Sequence, residues 1–357
     1  MAKIGHLVEI PPYFCHKWQK LIQVPPKPKS PKPQMDPANL TLGKLRISTM
    51  VVTAHLGTTI NLLKLLEIFH EKAIPLTWPA EGFLKIEYKP ILLLKPNSTP
   101  QEEQKAKQKA KAQEKIVIGT CVRDELTKRK KSKNIFFNQS TLVVRRQHGT
   151  ADGTANGKPN FKEVNIKLFK NGGIQMTGIP SDTFAQETLA WLAAELSSFS
   201  QPVLDGKAAP HRYSIQLINS DYQVNGNINR EKLHEILVNE YNLFSSFEST
   251  IYQGCDTKYF YNEAAAQQPG AVEGICGCEE MCAGNGDGRS LGQCKEITIS
   301  PFHTGSVIIT GARRFEQIEK AYVFINKILT RHCHEIIKPF PEKPASSASS
   351  VKKKLKA

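Results

Sequence analysis

The feature that most constrains this chain is that its motifs occur twice. Ile60-Asn61-x-x-Lys64-Leu65-x-Glu67-Ile68 returns as Ile228-Asn229-x-x-Lys232-Leu233-x-Glu235-Ile236. Phe169-x-x-Gly172-x-Ile174-x-Met176-Thr177-Gly178 returns as Phe302-x-x-Gly305-x-Val307-x-Ile309-Thr310-Gly311. Both pairs come in the same order, and each second motif is followed by helical periodicity. Two matches in register mark an internal duplication of one supersecondary unit. The separations of the two pairs differ, so insertions of unequal length interrupt the copies.

Each copy reads as strand, helix, strands, helix. LRISTMVVTAHLG is β-branched and bounded by glycine, which predicts a strand. Thr58 or Thr59 is then expected to cap a helix, INLLKLLEIFHEK. WPAEGFLKIEYKPILLLKP reads as strands or a small insertion, and QEEQKAKQKAKAQEK as a solvated charged segment. IFFNQSTLVVRR predicts a strand, and VNIKLFKNGGIQMTG a hairpin whose tight turn is NGG. Pro180, Ser181 and Asp182 begin a helix with Phe184, Leu189, Leu192 and Leu196 on its apolar side. The second copy repeats this with YSIQLINSDYQV, INREKLHEILVNEY, FSSFESTIYQGCDTKYFYN, EITISPFHTGSVIITG and RRFEQIEKAYVFINKIL.

The expected organisation is a flexible Pro/Lys-rich segment over 1–40 and a first repeat over 41–199 carrying a basic insertion at about 75–134. A second repeat follows over 200–335 with a Cys/Gly-rich insertion at about 264–294, then a disordered basic tail over 336–357.

Helices on one face of an antiparallel sheet leave the other face free, and alternation says which side chains occupy it. In VNIKLFK, Val164, Ile166 and Leu168 belong under the helices, while Asn165, Lys167 and Phe169 face the other way. In EITISPF, Ile297 and Ile299 oppose Thr298, Ser300 and Phe302. The free face is therefore polar, basic and aromatic. Solvation accounts for Asn, Lys and Thr there but not for a phenylalanine at the same place in both copies.

A formal net charge of +15 points to a polyanionic partner, nucleic acid ahead of membrane. Part of that excess is local, in Lys105 to Lys111, Lys128 to Lys133 and Lys352 to Lys356. No apolar run approaches spanning length, and the N-terminus has no signal-peptide stretch. The eight cysteines are accordingly expected as free or metal-bound thiols. Cys276-x-Cys278-x-x-x-Cys282, with Cys294 beyond, could supply four tetrahedral thiolate ligands to a structural zinc, with Cys255 as a substitute ligand. Reduced thiols in an insertion are the competing reading. His332-Cys333-His334 offers a second ligand cluster, or histidines bonding terminal helix carbonyls. No P-loop, G-x-S-x-G or H-E-x-x-H pattern occurs, so the chain is not expected to be an enzyme.

LFKNGGIQMTGI and PFHTGSVIITGAR resemble the paired F-x-S-G-K-x-V-x-T-G-A hairpins of the TATA-box-binding protein family. FSSFESTIYQG resembles that family's stirrup segment, F-S-S-Y-E-P-E-L-F-P-G, and TMVVTAHLG its first strand. The similarity covers most of residues 42 to 335, and the large lysine-rich insertions are similar to those of divergent members in large DNA viruses. The resemblance implies an α+β fold: a two-repeat saddle, a curved antiparallel sheet of about ten strands with helices on the convex face. It implies binding of double-stranded DNA through the minor groove, with aromatic wedges that unstack base steps and bend the duplex.

Carried onto this sequence, the wedges fall on Phe137 and Phe169 in the first copy and on Tyr252 and Phe302 in the second, with Phe136 as the alternative to Phe137. Thr177 and Thr310 match groove-facing threonines, and Val51 and Ile308 apolar groove contacts. Gln175, Lys167 and Thr49 stand where the family has valine, leucine and asparagine. The second asparagine position reads Leu217, with Asn219 two residues on. Lys130 and Lys131 are expected to touch phosphates. Glu248 retains one acidic position of the stirrup dock for a transcription factor IIB-like partner, while Thr250 replaces the other.

The implied function is transcription initiation beside the RNA polymerase machinery, as a monomer on DNA with no required cofactor. The implied site is the nucleus or, for a viral chain, the virus factory or virion, without secretion. The rival reading is a saddle-fold interaction scaffold that has lost TATA-specific binding. A more polar groove floor favours broad minor-groove binding, because that groove distinguishes mainly A·T from G·C.

Overall fold

The computed structural model describes residues 34–90, 99–101, 104, 115–127, 138–149 and 160–340. Along the chain run β1 (Arg46–His55), α1 (Leu62–Ile68), β2 (Gly82–Tyr88), β3 (Ile116–Gly119), α2 (Val122–Leu126), β4 (Gln139–Gln147), β5 (Phe161–Phe169), β6 (Gly173–Ile179) and α3 (Asp182–Ser197). The second half has β7 (His211–Gln223), β8 (Gly226–Ile228), α4 (Arg230–Asn239), β9 (Phe244–Ser246), β10 (Asp256–Tyr261), β11 (Lys295–Pro301), β12 (Ser306–Ala312), α5 (Phe315–Arg331), α6 (Cys333–Ile336) and β13 (Ile337–Pro339). Eleven strands form one sheet in the order β3-β2-β4-β5-β6-β1-β7-β12-β11-β10-β9, and β13 pairs β8 separately. The architecture is the expected α+β two-repeat one, with β3 as an additional edge strand.

Pairing register displays the duplication. At the centre, Thr49 pairs Asn219 while Val51 pairs Leu217, and Met50 pairs Ile218 between them. A local two-fold through Met50 and Ile218 exchanges the two repeats. Each inner pairing also shifts register beside a glycine: Val51 pairs Thr177 and Met50 pairs Ile179, as Asn219 pairs Thr310 and Ile218 pairs Ala312. The residues skipped are Gly178 and Gly311, with φ of 85° and 103°, a region open to glycine at no steric cost. β6 and β12 consequently bury matching residues, Ile174, Met176 and Ile179 in one and Val307, Ile309 and Ala312 in the other.

The helices cover one face. Met50, Val52, Ile166, Leu168, Ile174 and Met176 are buried in one core with Phe184, Leu189, Leu192 and Leu196 of α3. Ile297, Ile299, Val307 and Ile309 join that core with Ile318, Ala321, Ile325 and Ile328 of α5. Each copy's first helix begins with the asparagine of the repeated Ile-Asn motif. Asn61 Oδ1 accepts from Lys64 N at 3.0 Å, and Asn229 Oδ1 from Lys232 N at 3.3 Å. Asn61, and not Thr58 or Thr59, therefore caps α1. The Thr59 hydroxyl is committed to Asp205 instead. Ser181 caps α3 as the sequence implies, accepting from Phe184 N at 3.3 Å.

β2 and β3 both fall inside the stretch read as the basic insertion. β2 continues the first repeat outward from β4, in the place that β9 holds beside β10. Near the N-terminal end of the described chain, Met35 is buried against the second repeat, its N–H donating to Ile337 O at 3.3 Å.

Candidate nucleic-acid interface

The face without helices is built from strand alternation. In β5, Asn165, Lys167 and Phe169 are half-buried while Val164, Ile166 and Leu168 are buried on the helix side. Thr49, Val51, Leu217, Asn219, Gln175, Thr177, Ile308 and Thr310 are likewise half-buried on this face. Cross-strand partners form one row, Val51, Thr177, Asn165, Val143 and Lys85, in the first repeat. Its counterpart in the second is Asn219, Thr310, Thr298, Lys258 and Phe244. In the next row Gln175 and Lys167 correspond to Ile308 and Ser300.

Polar groups near the centre bond to one another. The Thr310 hydroxyl donates to Asn219 Oδ1, and the Thr177 hydroxyl donates to Asn165 O at 3.4 Å. Asn219 thus shares a face with Leu217 and retains amide N–H donors, which suit base acceptors. Lys167 has no carboxylate partner among the described residues.

At one end of this face, Tyr252 and Phe302 form an aromatic pair, ring centroids 5.6 Å apart and planes at 69°. Tyr252 is 43% exposed. Gly254 permits the pairing, since a Cβ there would lie 2.6 Å from the Tyr252 ring and 3.2 Å from Phe302. Ser300 departs from the expectation that it faces solvent. It is buried beside these rings, its hydroxyl donating to Asp256 Oδ1 at 2.9 Å. Phe169 takes the matching place at the other end, where it pairs Gln139. Phe136, Phe137, Lys130 and Lys131 lie outside the described residues.

In the segment between β9 and β10, Glu248 Oε1 accepts from Thr250 Oγ1 at 2.7 Å and from Thr250 N at 3.2 Å. These bonds hold the Glu248 carboxyl below its ordinary range. Thr250 thereby ties down the Glu248 carboxylate. Phe244 and Ile251 beside it are exposed.

The first repeat covers part of its own open face, which the residue pattern does not disclose. Leu84, Cys121 and Val143 are buried in a small cluster with Ile74 and Leu76, separate from the main core. The cause is a register shift between Phe83 and Lys85, which turns Leu84 to the open side along with Lys85. Arg145 donates to Leu76 O and Trp78 O, pinning the loop. α2 closes the cluster, with Lys85 Nζ donating to Asp124 Oδ1 at 2.9 Å. Burial pulls the Lys85 ammonium down, but Asp124 and Glu87 outweigh it and hold the group above its ordinary value. Burying Leu84 and Val143 contributes about 1.5–3 kcal/mol each. A β-branched run ending in glycine, IVIG, is the sequence signal for the strand that leads into this cover.

Away from the open face, the sulfurs of Cys276, Cys278, Cys282 and Cys294 lie within 4.8 Å of one another, a set that could hold a metal ion. Amide and carboxamide donors point at them: Cys282 N to Cys276 Sγ at 3.4 Å, Gly292 N to Cys278 Sγ at 3.2 Å, and Asn262 Nδ2 to Cys294 Sγ at 3.3 Å. Burial pushes the Cys276 thiol up, but the amides of Cys282 and Cys278 outweigh it and bring it to about 7. The surrounding loop docks on the start of α5, where Gln317 Nε2 donates to Asp287 O at 2.8 Å. Arg314 Nη2 also reaches Glu263 Oε1 at 2.6 Å. Cys255 stands apart from this set, buried in the main core beside Ser245. His332, Cys333 and His334 do not converge either: the His332 ring meets the Tyr241 hydroxyl, and the Cys333 thiol donates to Met35 O.

Among the described residues no helix is long and apolar enough to cross a membrane. No family model matches the chain. It is similar to a TATA-box-binding protein-like protein of Acanthamoeba polyphaga mimivirus, 30% identical over 223 residues. That match covers 59% of this chain and 52% of the relative, so the chain spans about half of the relative's length. Among solved structures it is similar to the TBP of Methanococcus jannaschii, with TM-score 0.38 and 13% identity over 81% of this chain and 99% of that one.

Proposed function

We propose that this chain is a DNA-binding transcription initiation factor that seats its helix-free face in the minor groove and bends the duplex. The observation that carries the reading is the helix-free face built by both repeats, with the Tyr252–Phe302 pair at one end and Phe169 at the matching end. Such rings can insert between base steps. Unstacking costs a few kcal/mol per step and is offset by the wider contact that bent DNA allows. Thr177, Thr310, Asn219, Thr49, Lys167 and Gln175 supply polar contacts to the groove floor, and Val51 and Ile308 apolar ones. Lys130 and Lys131 add salt-dependent phosphate contacts. With two repeats in one chain, a monomer suffices. The helix face and the stirrup around Glu248 are left for a transcription factor IIB-like partner and the polymerase machinery. The reading is non-enzymatic and places the chain in a nucleus or a viral factory.

The test is a bending assay on A·T-rich and G·C-rich duplexes, comparing wild type with Phe169→Ala/Phe302→Ala. Wild type should bend DNA and the double variant should not. Absence of any wild-type complex at low salt would hand the function to the scaffold reading.

The four-cysteine set is assigned to structural zinc. Four thiols without an oxygen donor suit a closed tetrahedral site, and N–H···S bonds to three of the sulfurs orient them as outer-shell donors do. Cys276, Cys278, Cys282 and Cys294 would hold the ion, which would order a loop that lacks a core of its own. Metal analysis of chelator-free protein should find about one zinc per chain; a content near zero removes the assignment.

A further inference from the structure

The two flanks of the open face are not equivalent, although the repeats that build them are. Val143 and Lys258 hold the same position in the two cross-strand rows, as do Lys85 and Phe244. In the second repeat these positions are less covered: Phe244 is 66% exposed, and Lys258 is half-buried, its Nζ reaching Thr298 Oγ1 at 2.9 Å between the carboxylates of Asp256 and Glu296. In the first repeat both are buried.

What buries them stands on the DNA-facing side. The chain leaves the sheet edge at Ala73, which bridges Phe83 in parallel, and crosses to Arg145 on β4. α2 then lies over Val143 and Lys85, and its first N–H, from Val122, donates to Glu163 Oε1 at 3.2 Å. Glu163 belongs to β5, so the cover extends over β2 and β4 as far as β5, two places from central β1. Residues 122 to 127 are all exposed on its outer surface.

We infer that this cover gives the chain a fixed direction on DNA: a duplex on the open face lies against the sheet along the second-repeat flank and meets α2 on the first-repeat flank. The inference rests on the minor-groove reading above. Its physical basis is stiffness. Duplex DNA has a persistence length of about 150 bp, so between kinks it cannot step around a one-helix obstacle. A nearly two-fold face alone would accept a site in either direction. With one flank lifted off the sheet, the two directions bury different lengths of backbone.

The experiment uses a duplex with one A·T-rich tract, one long arm and one short arm. A photo-crosslinking residue replaces Leu126, which is 78% exposed on α2, or, in a second protein, Phe244. Position 244 should mark the long arm and position 126 the tract edge on the short arm, with a bias of about tenfold. Equal marking of both arms by either position overturns the inference, as does a complex of wild-type affinity that never crosslinks from 126. If no complex forms in a mobility-shift assay with unmodified protein, the minor-groove reading fails instead, and this inference with it. Val143→Lys supplies a second check by placing under the cover the residue that the second repeat carries. Its unpaired charge should lift α2, abolish crosslinking from 126 and extend backbone protection on that flank. Unchanged crosslinking in a folded V143K protein counts against the inference.

Discussion

Tyr252 and Phe302 meet edge to face with their ring centroids 5.6 Å apart, at a point where Gly254 leaves room for both. The pair is assembled before any ligand arrives. Ring insertion would therefore cost little reordering of the protein, and the expense lies in the DNA. Phe302→Ala should weaken binding to an A·T-rich duplex by about tenfold or more, ~1.4 kcal/mol, and abolish the bend. Gel mobility of circularly permuted sites reads both. Tyr252→Phe keeps the ring and should retain the bend.

Thr310 and Asn219 are bonded to each other across the centre of the face. Asn219→Leu puts at this position the residue type of Leu217, which shares the open face two positions away. It should narrow the difference in affinity between A·T-rich and G·C-rich duplexes while leaving binding to the preferred duplex within about threefold, less than ~1.4 kcal/mol. Competition titration checks it. A loss of all binding would mean that Asn219 holds the sheet together and does not read bases.

Lys167 faces outward with no described carboxylate partner. If it meets a phosphate, Lys167→Ala should weaken binding to every sequence alike and lower the slope of log affinity against log salt by about 1. Fluorescence anisotropy at several salt concentrations measures that slope.

Asn262 donates to Cys294 Sγ and, through Oδ1, accepts from Ala265 N at 3.0 Å. Asn262→Ala should cost roughly 10–100-fold in zinc affinity, as removal of an outer-shell donor commonly does. Competition against a colorimetric chelator reports it. Chelation should loosen residues around 276–294 to proteolysis while the sheet core, whose strands pair without them, stays folded.

Asn61 and Asn229 cap matching helices with the same bond. Asn61→Ala and Asn229→Ala should each destabilise the fold by about 1 kcal/mol, measured by urea denaturation. Thr58→Ala should have a smaller effect, because Thr58 caps nothing.

The duplication, the strand-helix order and the split of β5 into a helix-facing and an open set were all legible in the sequence. They are local and periodic: side chains alternate with period two, and a repeated motif repeats its register. The four cysteines were legible for a related reason, since ligand chemistry is carried by residue type and three of them are close in sequence. The cap at Asn61 was misread because threonine and asparagine both cap helices, and only the backbone path decides which one stands at the turn. Ser300 was misread because the Tyr252 ring and Asp256, from elsewhere in the chain, close over it.

What the sequence alone determined, then, is a two-fold sheet with one apolar and one polar-aromatic face. Tertiary structure decided that the second face is not two-fold. A one-residue shift at Leu84 and a short helix, α2, arriving from a loop buried Val143 in a small core of its own, while its counterpart Lys258 stayed half-exposed and Phe244 beside it in the open. The physical reason is that alternation assigns a residue to a face, whereas its burial depends on which distant segment packs there, and no periodicity within the strand records that.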